Sequence, residues 1–244
     1  MPMRSLSVNL DHIATIREAR KTNYPSITTA AGICEVAGAD GITLHLREDR
    51  RHIKDRDLEI IREITLLPLT LEMAPTDEML EIALKNKPDA VTLVPERRME
   101  ITTEGGLDLT KNQDKIKFII DSLKKNHIKV CLFLEPIKEQ IQIAKELNAD
   151  AVEIHTGRYA NLFDRFNPSK YEEELNRIKE SAVFGKNIGL QMNAGHGIHY
   201  HNVRPLAKIE ELSEFSIGHS IVSRSIFVGL ERAIREMAEL IRNP

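Results

Sequence analysis

The chain has 244 residues, enough for one large α/β domain or two small ones, and its apolar content of 41% supports a substantial buried core. Lysine and arginine number 34 against 37 aspartate and glutamate residues, so the formal charge of -3 gives no global reason to expect a nucleic acid or an anionic membrane as a partner. No apolar run approaches the roughly 18 residues of a membrane helix, and the first residues lack the apolar core of a signal peptide, so we expect a cytoplasmic protein.

Strand-like and helix-like runs alternate about eight times along the chain, and no linker-like stretch divides them. The predicted strands cover residues 5–10, 41–46, 69–73, 90–94, 129–134, 151–156, 188–193 and 214–218. Eight βα units in about 250 residues predict an α/β fold, a TIM (β/α)8 barrel that takes in residues 1–244 as one domain. A doubly wound open sheet is the alternative, but no Gly-rich dinucleotide fingerprint follows the first strand.

Some helix starts carry their own signals. Thr76 is placed as an N-cap, and the pairs Thr110 with Gln113 and Ser169 with Glu172 both fit a capping box. We therefore expect helices to begin at these points.

Two segments of the chain look alike, AGADGITLH at 37–45 and LNADAVEIH at 147–155. The offset between Asp40 and Asp150 equals that between His45 and His155. This pattern indicates either a half-barrel duplication or a generic turn from helix to strand, and the second interpretation is favoured because only one pair of segments matches well.

Five of the predicted strands alternate an apolar face with a face of ionisable or amide side chains, although both faces of a parallel sheet are normally buried. The carboxyl ends of barrel strands face the catalytic mouth, so we expect the polar side chains to converge there. The candidates are Asn9, Asp11, His45, Glu72, Glu153, His155 and Asn193. A single buried His or Glu is often a satisfied structural residue, whereas a group of them is typical of acid–base catalysis.

Two regions are suited to binding phosphate. The turns at 194–198 and 216–225 follow strands 7 and 8, where such barrels commonly bind phosphate through backbone N–H groups and a helix N-terminus. The basic run at 46–56 follows strand 2 and is either a second anion site or a solvated charged segment, because acidic residues are interleaved with the basic ones.

The connection at 95–109 is longer than a typical βα loop and contains Gly105-Gly106 as a hinge. We predict that it forms a lid, although an ordinary long surface loop accounts for its length alone equally well.

Some kinds of chemistry are not expected. No lysine ends a strand, which argues against a Schiff base on an enzyme amine. The spacing of His196, His199 and His201 matches no common metal-ligand pattern, so we do not expect a required metal. Cys34 and Cys131 lie among apolar neighbours and are predicted to be core residues.

Several long blocks resemble the pyridoxine 5'-phosphate synthase family, the ring-closing enzymes of one vitamin B6 pathway. The blocks are NLDHIATIREAR, GITLHLREDRRHI, LTLEM, VPERRMEITTEGGLD, EIHTGRYA, NAGHGI with the nearby YHN, and IGHSI, and the match runs from strand 1 to the last helix. The resemblance implies a TIM barrel that condenses 3-amino-2-oxopropyl phosphate with 1-deoxy-D-xylulose 5-phosphate, releasing phosphate and water without metal or cofactor. It also implies a homo-octamer.

Residue roles follow from the same resemblance. It implies that His45 and Glu72 accept protons, that His196 donates one and that Glu153 stabilises a transition state. The residues implied to contact the amino ketone phosphate are Asn9, Arg20, Gly197, Gly218 and His219. Those implied to hold the deoxyxylulose phosphate are Asp11, His12, Arg47, His52 and Thr102.

The sequence departs from the family pattern at Ser26-Ile27, at His199 and around LFLEPIKEQ, and His199 is expected to affect the pKa of His196. Two other functions stay open. One is a metal-dependent sugar-phosphate isomerase or epimerase on the same barrel, and the other is a non-catalytic barrel that binds phosphorylated metabolites.

Overall fold

The computed structural model describes residues 4–96 and 105–244. Within them, parallel strands pair in chain order and close into a barrel, because β1 (Ser5–Asn9) pairs with both β2 (Gly41–His45) and β8 (Leu212–Ile217). The strands between them are β3 (Leu69–Met73), β4 (Ala90–Leu93), β5 (Lys129–Leu134), β6 (Ala151–His155) and β7 (Gln191–Gly195). Closure confirms the predicted TIM barrel and is incompatible with an open sheet, which keeps edge strands.

Helices surround the barrel, and the connections after β1, β6 and β8 each contain two of them. The helices of the described residues are α1 (Asp11–Arg20), α2 (Ile27–Ala37), α3 (Asp55–Ile64), α4 (Asp77–Asn86), α5 (Gln113–Lys125), α6 (Lys138–Glu146), α7 (Gly157–Asp164), α8 (Pro168–Asn187), α9 (Val203–Ala207), α10 (His219–Val228) and α11 (Leu230–Arg242). Among these helices, none combines the length and the apolar character that crossing a membrane requires.

The two faces of the strands are divided as predicted. Val8, Ile42 and Leu44 are fully buried in the layer between strands and helices. The opposite face lines the barrel with buried polar side chains, and Ser7 and Thr43 share a hydrogen bond of 2.7 Å between their hydroxyl oxygens. Such a polar interior positions ionisable groups along the barrel axis, where an apolar core would exclude them.

The largest shift from the sequence prediction is at β7, predicted at 188–193 and observed from Gln191 to Gly195. Gly189 adopts φ 80°, and the N–H of Leu190 donates to the carbonyl of Gly185 at 3.0 Å, so these residues close the C-terminus of α8. The shift brings His196 to the position directly after the strand, at the mouth of the barrel.

Helix caps were predicted with mixed success. Thr76 does cap α4, since its hydroxyl accepts from the N–H of Met79 at 3.4 Å. The other two predictions are wrong, because α5 begins after Asn112 and α8 begins at Pro168. Thr110 instead donates its hydroxyl to Asp108 in a local turn.

The two similar segments share one local hydrogen bond. A carboxylate oxygen of Asp40 accepts from the N–H of Leu6 at 2.8 Å, and one of Asp150 accepts from Val130 at 2.9 Å. Asp89 makes the same bond to Leu69 at 2.9 Å. The likeness is therefore that of a turn found before β2, β4 and β6, which supports the generic interpretation.

The two cysteines of the described chain, Cys34 and Cys131, are free and buried, as predicted for core residues. Burial raises the pKa of the Cys34 thiol to about 12, with a smaller contribution from the charge of Glu35. Such a thiol is a poor nucleophile at neutral pH.

Candidate active site

The end of β2 and the start of α1 meet at the mouth of the barrel. The N–H of His45 donates to the Asp11 carboxylate at 2.8 Å, and the N–H of Asp11 donates to the Asn9 side-chain oxygen at 2.9 Å. Asp11 and His45 are 7% and 4% exposed. These hydrogen bonds fix three of the predicted site residues relative to one another.

His45 lies between two carboxyl groups. Its Nε2 is 2.9 Å from Glu96 Oε1, and its Nδ1 is 3.8 Å from Glu72 Oε2. The other Glu96 oxygen accepts from the N–H of Glu48 at 3.1 Å. An ionised Glu96 accepts a hydrogen from Nε2 and thereby leaves Nδ1, the nitrogen that faces Glu72, as the basic one.

Glu96 has a pKa below its ordinary value. Burial alone would raise it, but the hydrogen bond and the charge of His45 outweigh burial. Glu96 was not among the predicted site residues, although it stands in the VPERR block directly after β4. Its partner is distant in sequence, so nothing local indicated the contact.

Two glutamates inside the barrel have pKa values moved the other way. Burial, together with the charges of Glu153 and Asp11, raises the pKa of Glu72 well above its ordinary value, and a hydrogen bond with Asn9 opposes the rise. Burial and the charge of Glu214 raise the pKa of Glu153 to about 8. The Glu72 side chain keeps 14% of its surface exposed, so contact with solvent limits how far burial raises its pKa. Each raised pKa makes the carboxylate a stronger base than that of an ordinary glutamate.

His196, the predicted proton donor, lies directly after β7. His196 follows Gly195 and adopts a left-handed backbone with φ 74°. Burial and the neighbouring His155 lower its pKa to about 4, a smaller effect of His12 acts in the same direction, and the charge of Glu135 opposes it. His196 is therefore neutral at pH 7 in the ligand-free protein.

The expected influence of His199 is not seen among the groups that shift His196. His199 Nε2 pairs with the Asp164 carboxylate at 3.0 Å on the outer side of the turn. It packs edge-on against Phe163 with a centroid distance of 5.6 Å. The His199 side chain therefore contacts α7 and is not among the groups that shift the pKa of His196.

The turns after β7 and β8 lie side by side. The hydroxyl of Ser220 donates to the Ile198 carbonyl at 2.8 Å, which joins the two turns. Gly218 has no room for a side chain, because a Cβ there would lie 2.9 Å from the Asn9 carbonyl oxygen. Gly197 has φ 77°, and a Cβ there would lie 2.7 Å from that of Ala160.

Gly218, the residue before the helix that follows β8, gives that helix no side-chain cap. Helix α10 begins at His219, and its first-turn N–H groups, together with those of the adjoining turn, form a site suited to phosphate. The ring of His219 contacts that of His12 edge-on, with centroids 4.9 Å apart. The predicted residues Gly197, Gly218, His219 and His12 are thus brought together.

The basic run after β2 divides between a surface and a site. Arg50 pairs with Asp55 at 3.0 Å and Arg51 with Asp49 at 2.6 Å, as a solvated segment would. Arg47, in contrast, is 2% exposed. Arg47 is thus set apart from the ion pairs of its neighbours by burial, and its role as an anion ligand stays a prediction.

His52 turns towards the same part of the mouth as Arg47. Its ring lies 6.1 Å from that of His45, and its pKa is lowered, chiefly by burial. Arg20 lies exposed in the last turn of α1. Thr102 and most of the predicted lid fall outside the described residues, so their roles stay predictions.

One cluster could hold a metal ion. Asp11, His45 and Glu72 each offer a ligand atom, and these atoms lie within 4.8 Å of one another. They are the same groups that form the acid–base cluster. If the rival isomerase function holds, these residues are where its metal would bind.

A cavity of about 710 Å³ opens at the opposite, amino-terminal end of the barrel, lined by residues such as Ser7, Thr70, Thr92 and Glu214. It does not include the His45 or His196 clusters. In a TIM barrel the chemistry belongs to the carboxyl ends of the strands, so the mouth remains the candidate active site.

Comparison with known proteins identifies similar sequences. The family model for pyridoxal phosphate biosynthesis protein PdxJ matches residues 6–243. The pyridoxine 5'-phosphate synthase of Aquifex aeolicus (strain VF5) is 55% identical over 239 residues, covering 97% of this chain and 99% of that protein. The protein of the same name from Aquifex pyrophilus is 53% identical over 234 residues, covering 95% and 99%.

Solved structures show the fold at much lower identity. A 4-hydroxy-2-oxoglutarate aldolase/2-deydro-3-deoxyphosphogluconate aldolase superimposes with a TM-score of 0.64 at 12% identity, covering 98% of this chain and 94% of that one. A 3-keto-L-gulonate-6-phosphate decarboxylase from Vibrio cholerae gives a TM-score of 0.62 at 12% identity, covering 98% and 97%. At this identity the similarity concerns the fold alone.

Proposed function

The chain belongs to the family of pyridoxal phosphate biosynthesis protein PdxJ, and from this premise we propose how its barrel carries out the reaction. It is an enzyme with the activity of a pyridoxine 5'-phosphate synthase. It condenses 3-amino-2-oxopropyl phosphate with 1-deoxy-D-xylulose 5-phosphate to pyridoxine 5'-phosphate, phosphate and water. The match of residues 6–243 carries this conclusion.

The substrates supply the nitrogen of the reaction. The amine of 3-amino-2-oxopropyl phosphate attacks the ketone of the second substrate and forms an imine, so no enzyme lysine is required. Dehydration, phosphate loss and ring closure each require a proton at a defined carbon or oxygen. A set of acid–base groups around one mouth suits this sequence of steps.

His45 and Glu72 are the proposed proton acceptors. Support comes from Glu96, which holds Nε2 of His45 at 2.9 Å and leaves Nδ1 basic, 3.8 Å from the Glu72 carboxyl group. A raised pKa makes the Glu72 carboxylate a stronger base than an ordinary glutamate, which suits a proton acceptor. Glu96 is in this view a positioning residue for His45.

His196 is the proposed proton donor, and Glu153 the proposed transition-state stabiliser. Because the pKa of His196 is about 4 without substrate, donation as an imidazolium requires a nearby anion that raises this pKa. A phosphate dianion bound at Gly197 would supply the charge. Substrate binding thus prepares the donor, which ties proton transfer to occupancy of the site.

The two substrates have separate proposed subsites. The amino ketone phosphate binds at the turns after β7 and β8, through Asn9, Arg20, Gly197, Gly218 and His219. The deoxyxylulose phosphate binds at Asp11, His12, Arg47, His52 and Thr102. Support comes from the shared place at the mouth of the described members other than Arg20, and from the burial of Arg47, since a buried guanidinium suits a bidentate contact to phosphate.

One assay tests the reaction. Chelator-treated protein is mixed with both substrates, and pyridoxine 5'-phosphate is followed by ultraviolet absorbance and by mass, with released phosphate measured in parallel. Product with phosphate establishes the activity without a metal. Product that appears only after a divalent metal is restored shows a metal-dependent enzyme and points to the cluster at Asp11, His45 and Glu72. Folded protein that binds substrates but makes no product would instead indicate the non-catalytic barrel.

The enzyme is further proposed to act in the cytoplasm, where a biosynthetic enzyme meets its small phosphorylated substrates. It is proposed to assemble as a homo-octamer, in line with the family resemblance, with neither nucleic acid nor membrane as a partner.

A further inference from the structure

Glu135, the residue after β5, joins two parts of the structure through one carboxylate oxygen. Its Oε1 lies 2.7 Å from Nδ1 of His155 and accepts from the N–H of Gly106 at 3.1 Å. Its Oε2 lies 3.8 Å from Nη2 of Arg177. The Glu135 side chain is 31% exposed, so water partly screens its charge, while His155, Gly106 and Arg177 hold its carboxylate in place.

His155, which pairs with Glu135, contacts His196, the proposed proton donor. The rings of His155 and His196 have centroids 4.9 Å apart, and Phe133 packs against both at 5.2 and 6.5 Å. Gly157 leaves room for this contact, because a Cβ there would lie 2.5 Å from His155 Nε2 and 3.0 Å from His196 Cδ2. The close packing means that the orientation of His155 fixes the surroundings of His196.

The ionisation of Glu135 determines which nitrogen of His155 carries hydrogen. Burial would raise the pKa of Glu135, but the hydrogen bond and charge of His155 hold it below its ordinary value. An ionised carboxylate accepts from Nδ1–H, and in the neutral ring the lone pair is then on Nε2. That atom is buried and has no hydrogen-bond partner among residues 4–96 and 105–244.

The charged groups around His196 come from several elements. They are His155 of β6, Glu135 after β5 and His12 of α1, while the Glu153 side chain packs against Gly195 just before it. Of the groups that shift the pKa of His196, Glu135 is the one that raises it.

We propose that Glu135 is a positioning residue for proton donation by His196, acting through His155. Its carboxylate fixes the ring and the tautomer of His155 against His196 and supplies the negative charge that favours the imidazolium. The catalytic part of this inference rests on the proposed function, whereas the coupling of Glu135, His155 and His196 does not.

The first experiment measures the coupling without turnover. The His196 resonance is titrated by NMR in ligand-free protein with labelled histidine, in the wild type and in Glu135→Gln, His155→Gln and Glu139→Gln. The last is the matched control, since Glu139 is exposed on α6. Glu135→Gln should weaken the proton affinity of His196 by about threefold to tenfold, because it removes a partly screened negative charge. His155→Gln should strengthen it.

Opposite shifts in these two variants cannot come from a general loss of structure. The wild type should also show a hydrogen-bonded Nδ1 proton on His155 that is lost in His155→Gln and weakened in Glu135→Gln. A His196 titration that is the same in Glu135→Gln as in Glu139→Gln would overturn the coupling, whether or not the protein makes product.

The second experiment measures catalysis. In Glu135→Gln, kcat should fall by about 10- to 100-fold with both KM values within about threefold of the wild type. The alkaline limb of the kcat profile should move to lower pH, because His196 loses its proton more easily. A raised KM with unchanged kcat would overturn the positioning role and assign Glu135 to substrate binding. A wild type that makes no product would refute the proposed function and the catalytic part of this inference, while the titration still decides the coupling.

Discussion

Three ionisable side chains at the mouth favour their neutral forms in the ligand-free protein. Glu72 and Glu153 have raised pKa values, and His196 has a lowered one, in each case chiefly because of burial. Glu96 and Glu135 have lowered pKa values because each is hydrogen-bonded to a histidine. The site thus contains groups whose charged forms are disfavoured by burial, and carboxylates that hold histidines in place.

Removing either proposed proton acceptor should abolish most turnover. His45→Asn and Glu72→Gln are expected to fold normally and to lose about 100-fold or more in kcat, because each loses a proton-transfer group and little packing volume. Steady-state kinetics with circular dichroism checks this. His127→Asn and Glu63→Gln are the matched controls, since both residues are exposed away from the mouth. Wild-type rates in His45→Asn or Glu72→Gln would contradict the assignment.

The raised pKa of Glu153 should reduce stability as the pH rises. A carboxyl group with an ordinary pKa of 4.5 and a folded-state pKa of about 8 binds more protons folded than unfolded between these values, so stability falls across that window. Glu153→Gln should remove this loss and be more stable than the wild type at pH 8, on the order of a few kcal/mol. Urea unfolding at fixed protein concentration, at pH 5 and pH 8, measures the difference. If the unfolding free energies of the wild type and Glu153→Gln change with pH in parallel, the prediction is wrong.

At the scale of elements, a carboxylate anchors the turn before each of three strands, β2, β4 and β6. Asp40, Asp89 and Asp150 each accept from the N–H of a residue in or at the start of the preceding odd-numbered strand, and each pairs with a basic side chain of a helix. This hydrogen bond explains the similarity of the turn sequences. It joins each helix-to-strand turn to a neighbouring strand at the amino-terminal end of the barrel.

Loss of one such carboxylate should weaken the barrel. Asp150→Ala removes the bond to Val130 and the pair with Lys124, and should cost about 1–2 kcal/mol of unfolding free energy, because a strand N–H loses a charged acceptor. Asp121→Ala on α5 is the control, since its exposed pair with Lys117 should contribute under about 0.5 kcal/mol. Denaturant unfolding compares them. Equal losses of unfolding free energy in Asp150→Ala and Asp121→Ala would show that the turn contact adds no more stability than an exposed ion pair.

Strand positions were predicted well because alternation is a local property. The predictions for β3 and β5 coincide with the observed strands, and that for β7 was displaced because Ile188 and Leu190 continue an apolar pattern while completing the end of α8. The capping boxes failed because other residues near the helix start define it. Pro168 sets the first turn of α8, so Ser169 lies already inside the helix.

At the scale of the whole molecule, assembly is the open prediction. Large apolar side chains lie exposed on the single chain, among them Leu66 at 90%, Phe166 at 90% and Phe227 at 84%. Burial of such side chains between chains would lower the free energy. Light scattering should give eight times the chain mass of 27.7 kDa. A mass of one chain at assay concentration would contradict the octamer.

The sequence by itself determined the strand order, the barrel and the polar inner face, because these depend on periods of two and of 3.6 residues that neighbouring side chains carry. Its motifs also determined the family. Only the tertiary structure decided which groups pair, as Glu96 does with His45 across 51 positions and Glu135 with His155 across 20. Barrel closure brings strand ends together regardless of their separation along the chain, so these contacts and the pKa values that they set leave no local pattern.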